Sequence, residues 1–203
     1  METHQSICEW RDDLLHVYIS TQSIWGVRDE VADALGLAPD KVRVVCEFMG
    51  GGFGSKNGAN DHTYVAAELA RLKPIAEKVL RVHGERHPEL AEVNRLLSAL
   101  SADLLSHMQK EEVVVFPAMR ALENGEAPRV RSVTLDQPLG EMLTEDARVR
   151  ELLRELERVT DRYTPPTHAC GSYRALYQRL AELQADLQRH IYLENELLFP
   201  RPD

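Results

Sequence analysis

The chain has 203 residues, enough for one large or two small domains. Hydrophobic residues make up 43% and charged residues 28%, an ordinary globular balance, and the net charge of −9 argues against a nucleic-acid surface or an anionic membrane partner. No apolar run approaches the ~20 residues that span a bilayer. The start, Met1-Glu2-Thr3-His4-Gln5, lacks the basic stretch and apolar core of a signal peptide. Three scattered cysteines, Cys8, Cys46 and Cys170, make neither a disulfide framework nor a Cys-x-x-Cys knuckle. A cytoplasmic location is expected.

Residues 1–58 read as a small α/β unit. Leu14 to Ile19 is a short strand, Trp25 to Leu35 a helix that stops at Gly36, and Lys41 to Cys46 a second strand. A glycine-rich loop follows, Gly50-Gly51-Gly52-Phe53-Gly54-Ser55-Lys56. It does not fit the phosphate-binding pattern G-x-x-x-x-G-K-[ST]. Beyond residue 58 the pattern is helical, with breaks around 84–88, 117–137 and 164–172. Pro117 is read as the stop of the second long helix, and Thr164-Pro165-Pro166 as a turn, because proline cannot continue a helix and restricts the residue before it. Four helices are expected near 61–83, 88–116, 138–163 and 172–199. The predicted fold is mainly α: an up-down-up-down four-helix bundle over residues 61–202 with a small N-terminal α/β extension.

One eleven-residue frame, His-x3-Glu-x4-Phe-Pro, occurs twice: His107 to Pro117 and His190 to Pro200. In each copy His and Glu stand four apart and so share a helix face. Both pairs also continue an apolar stripe. In the second helix it runs Leu90, Val93, Leu97, Leu100, Leu104, His107, Glu111, Val114; in the fourth, Tyr173, Leu176, Leu180, Leu183, Leu187, His190, Glu194, Leu197. A stripe of this period points inward, and a buried carboxylate must be protonated, paired or bound to metal.

Antiparallel hairpins identify the facing positions. A first turn centred near residue 86.5 sets His62 opposite Glu111, and a second centred at 168 sets Asp146 opposite His190. Both continue stripes of their own: His62, Val65, Leu69, Leu72, Ala76, Val79, and Leu139, Met142, Asp146, Val149, Leu153, Leu156. His83 lies 21 residues after His62, roughly 31 Å along a continuous helix, and is assigned to the hairpin end. His87 and His168 are read as solvated turn residues. The candidate metal ligands are therefore His62, His107, Glu111, Asp146, His190 and Glu194. Nitrogen and oxygen donors without thiolate suit iron or manganese better than structural zinc, with Glu111 and Glu194 placed to bridge two ions.

At these residues the chain resembles the hemerythrin-like HHE family, and within it the di-iron proteins that repair iron-sulfur clusters. The similar stretches are Lys78 to His83, Ser106 to Glu112, Thr164-Pro165-Pro166 with Ala169-Cys170, and His190 to Asn195 through Phe199-Pro200-Arg201. The resemblance implies two non-haem iron ions, oxo- and carboxylate-bridged, and carries the family ligands onto His62, His107, Glu111, His190 and Glu194. It implies repair of clusters damaged by nitric oxide or oxidative stress, with damaged iron-sulfur proteins as clients and a small diatomic, NO or O2, at the open positions. The alternatives are an oxygen or nitric oxide carrier or sensor without turnover, and a truncated molybdenum hydroxylase subunit. The family usually has a His where this chain has Asp146.

Residues 1–58 are similar instead to a piece of the molybdopterin-binding subunit of xanthine dehydrogenase and aldehyde oxidase, on Met1 to His4, Ser20-Thr21-Gln22 and Gly50 to Lys56. A complete site of that kind needs several hundred further residues, so no hydroxylase activity is expected of this chain alone.

Overall fold

The computed structural model describes residues 6–47, 61–123 and 136–199. The chain divides into two compact units, Met1–Arg71 and Leu72–Asp203. The glycine loop from Gly50 to Lys56 and the motif Met1 to His4 lie outside the described residues.

In the first unit β1 (Ser6–Arg11) and β2 (Leu14–Ile19) form an antiparallel hairpin, pairing Arg11 with Leu14 and Ser6 with Ile19. Asp12 makes the turn at φ 55°, a left-handed conformation that Asp tolerates better than most residues. Helix α1 (Ile24–Ala34) then crosses over to β3 (Val42–Val45), which lies parallel to β2, giving the order β1-β2-β3. The Ser23 hydroxyl caps α1 by accepting from the Gly26 N–H, and Gly36 at φ 61° ends it. The sequence reading missed β1, whose alternation Ile7, Glu9, Arg11 carries no continuous apolar run. Leu15, Val17, Val27, Val31, Val42 and Ala67 form the core of this unit. Trp10 seals it, its indole N–H donating to the Ala67 carbonyl at 3.4 Å.

Helix α2 (Asp61–His83) runs unbroken through Pro74, and α3 is Glu89–Lys110. Between them Gly84 is required: a Cβ there would lie 2.5 Å from the Leu80 carbonyl oxygen. Asn94 ties the hairpin by donating to the Ala76 carbonyl at 3.1 Å. Helices α4 (Phe116–Glu123), α5 (Asp136–Val159) and α6 (Gly171–Leu193) follow. In the second unit α3, α5, α6 and the later turns of α2 make an antiparallel bundle, so the chain is mainly α as expected. No helix among the described residues is long and apolar enough to cross a membrane.

Two differences from the sequence reading have physical causes. Pro117 does not stop the second helix, which continues into α4 after a widened turn that accommodates the proline. Helix α5 ends at Val159 rather than 163, because Asp161, Arg162 and Tyr163 adopt φ 47°, 54° and 57°. The Thr160 hydroxyl holds this left-handed turn, donating to the Leu156 carbonyl and accepting from the Tyr163 N–H.

Candidate metal centre

The stripe on α5 is buried as the period requires, with Asp146 among Met142, Val149 and Leu153; on α6 it is buried from Tyr173 through Leu187, with His190 partly exposed, and again at Glu194 just past the helix. On α3 the stripe is buried through Leu104, His107 and Glu111, and then shifts from Val114 to Val115. The cause is a π-helical turn over Glu111–Val115, in which the Phe116 N–H donates to the Glu111 carbonyl. The second copy of the frame does the same over Glu194–Leu198, with the Phe199 N–H 2.7 Å from the Glu194 carbonyl. Each wide turn starts at the Glu of its frame, and each frame ends in Phe-Pro. A proline lacks an N–H and crowds the carbonyl four residues back, so a widened turn before it relieves both problems. Single π-turns of this kind recur at functional sites. Phe199 then packs with Val115, Leu139 and Met142, with Phe116 against them.

Two sets of donors meet here. Atoms of Glu111, His190 and Glu194 lie within 4.8 Å of one another, and so do atoms of His107, Asp146 and Glu194. Glu194 belongs to both. His107 Nε2 stands 3.5 Å from Glu111 Oε1 and 3.4 Å from Asp146 Oδ1, and His190 Nε2 is 2.8 Å from Glu194 Oε1. The His107 Nε2 atom and both Glu194 oxygens make no aligned hydrogen bond among the described residues. Glu111 and Asp146 are 0% and 1% exposed, so the three carboxylates share a space closed to water. His62 lies in the first unit, in the first turn of α2, and is buried.

The electrostatics are those of a cation site. Burial, with the neighbouring Glu111 charge, outweighs the pull of His190 and raises Glu194 to about 7. Burial also raises Asp146, while His107 and the Asn195 amide act the other way. For His107 burial lowers the pKa, but the close Glu111 carboxylate and the charges of Asp146 and Glu194 override it and raise it to about 9. Without metal, protons take the place of positive charge. The residues fit a metal pair: imidazole and carboxylate donors converge in a buried, acidic space.

Three contributors escaped the sequence reading. Glu145 lies 3.1 Å from His107 Nδ1 and also accepts from Lys110 Nζ. A carboxylate on one imidazole nitrogen fixes the tautomer and turns the other nitrogen toward a metal. The Asn195 amide donates to Asp146 Oδ2 at 2.9 Å. The only sequence signal was adjacency: Glu145 precedes Asp146, Lys110 precedes Glu111 and Asn195 follows Glu194. The turn histidines divide: His168 is exposed, as expected, whereas His87 is half-buried. His87 is bound through Nδ1 to Glu89 at 2.8 Å and through Nε2 to His168 at 2.9 Å, and its ring packs edge-on against Tyr173.

A helical bundle with paired His and carboxylate donors at one level defines a protein that holds cations inside its core. The family model for the hemerythrin HHE cation binding domain matches residues 58–201, and the chain belongs to that family. Membership implies a non-haem di-iron centre, and the His and carboxylate clusters above are groups able to hold one. The chain is 32% identical over 139 residues to the iron-sulfur cluster repair protein ScdA of Staphylococcus haemolyticus, covering 68% of this chain and 60% of that protein. It is 38% and 40% identical over 134 residues to the iron-sulfur cluster repair proteins YtfE of Yersinia pseudotuberculosis and Edwardsiella ictaluri, covering 66% of this chain and 57% of each. The chain thus spans about three fifths of the length of these relatives. Residues 1–88 match the model of the molybdopterin cofactor-binding domain, a likeness confined to that stretch.

Proposed function

We propose that this chain restores iron-sulfur clusters damaged by nitric oxide or oxidants, using a pair of iron ions held in the bundle. The residues that would hold the iron are those expected from the sequence: His62, His107, Glu111, Asp146, His190 and Glu194. Residues 61–202 form the working domain. The clients are damaged iron-sulfur proteins in the cytoplasm, and a small diatomic, NO or O2, would be the small-molecule ligand. Bound, the iron pair supplies a change of redox state and exchangeable coordination sites. The chain's own residues orient His107 through Glu145, hold Asp146 through Asn195 and exclude water with the Phe116 and Phe199 cluster.

The observation that carries the reading is Glu194, shared by two donor groups in a buried, acidic space. The repair proteins similar to this chain direct it toward clusters. Asp146 replaces a neutral imidazole with an anion, which favours the ferric state. The test is reactivation of an iron-sulfur enzyme inactivated by nitric oxide. Iron-loaded protein should restore its activity and the Asp146→Asn variant should restore less. Reversible gas binding without reactivation would favour a carrier and overturn the repair assignment.

A further inference from the structure

The proposed metal centre does not use the other end of the second unit. Cys170 caps the N-terminus of α6, 24 residues before Glu194 and about 36 Å from it along the helix. Cys170 is exposed, and its Sγ lies 3.2 Å from His83 Nε2 at the end of α2. The Tyr173 ring, tilted on His83 at 5.4 Å between centroids, keeps the imidazole in place. The charged and titratable groups around this pair are His168 on the preceding loop, His87 in the turn between α2 and α3, Glu89 at the start of α3, and Arg174 one turn into α6. His87 is engaged by Glu89 and His168, and Arg174 donates to the Thr167 carbonyl. His83 is therefore the imidazole that faces the thiol.

We propose that Cys170 is a nucleophilic thiol, activated by His83, that forms mixed disulfides with low-molecular-weight disulfides. A Cys-His contact at hydrogen-bond distance, an exposed sulfur and a helix N-terminus are the three features that favour a reactive thiolate. In the reaction the Sγ proton passes to His83 Nε2, and Sγ attacks one sulfur of the disulfide. A new S–S bond forms, the old one breaks, and the departing thiolate takes up the proton. The disulfide is the only oxidant consumed. The other thiols are placed differently. Cys8 is half-buried, bonded to the Thr63 carbonyl and pushed up to about 12 by burial, and Cys46 donates to the Thr21 carbonyl. This site is independent of the cluster-repair reading.

The test uses the full chain and glutathione disulfide, with each cysteine followed by peptide mass mapping. Cys170 should carry the adduct first, at pH 7 about fivefold faster than a free cysteine peptide. His83→Gln should remove that advantage at pH 7 yet react like the native protein at pH 9.5, where free thiols are ionised anyway. His168→Gln should leave the rate unchanged. The proposal is overturned if native Cys170 only matches the free peptide, if Cys46 or Cys8 reacts first, or if His83→Gln slows the reaction equally at both pH values.

Discussion

The two copies of the frame share a backbone and differ in their surroundings. In both, Glu opens a π-turn whose last bond is made by the N–H of the Phe that ends the frame. His107 is sealed in, its side chain 2% exposed, and is oriented by Glu145, itself tethered to Lys110. His190 is 11% exposed and stands 2.8 Å from the Glu of its own frame. The carboxylates differ too: Glu194 joins both donor groups, whereas Asp146 joins one and is steadied by Asn195. A repeated sequence can therefore fix a repeated turn while its neighbours decide how rigid and how charged each half becomes.

The largest effect should come from the shared residue. Glu194→Ala should abolish loading of both ions, whereas His190→Ala should spare the ion at His107 and Asp146; iron analysis distinguishes them. Equal partial loss in the two variants would break the view of Glu194 as the common ligand. Next, Asp146→Asn removes a charge and keeps the shape. Iron affinity should fall by at least the roughly tenfold to hundredfold that outer partners are worth, while Asp146→His should load as well as the native protein. A native protein that holds one ion or none, and two only as Asp146→His, would show that Asp146 is not a working ligand.

Smaller effects separate the two imidazoles. Glu145→Gln should weaken iron binding about tenfold through the orientation of His107, with little change at His190; competition with a chelator measures it. The metal-free protein should also respond to pH. Glu194 and His107 both bind protons more tightly folded than unfolded, at about 7 against 4.5 and about 9 against 6.5. Their stabilisation is complete below the unfolded values and is lost as the pH climbs through 7 and then 9. Melting temperature without metal should fall from pH 5 to pH 9, and bound iron, taking the place of the protons, should flatten that fall.

Much of this architecture was legible in the sequence because long helices carry a redundant signal. The stripes through Leu90 to Glu111 and Leu139 to Leu156 each repeat over several turns, so one ambiguous residue does not alter the face. Hairpin symmetry likewise set Asp146 opposite His190, and the structure gathers it with His107 and Glu194. The π-turns were not legible, since their cause lies in a Phe-Pro pair whose usual reading is a helix stop. Glu145, Lys110 and Asn195 were not legible either, because a lone polar residue beside a stripe is most often simply solvated. The left-handed turn at Asp161 to Tyr163 lacks the glycine that normally announces one, and depends instead on the Thr160 hydroxyl.

Two irons are proposed to share this space, with Glu194 common to both donor groups. Iron content and the optical spectrum of the oxidised protein, taken on one sample, test it most directly. About two irons per chain with near-ultraviolet charge-transfer bands of an oxo-bridged ferric pair are expected. An iron-loaded sample without those bands, or one that saturates at a single iron, would contradict the paired centre.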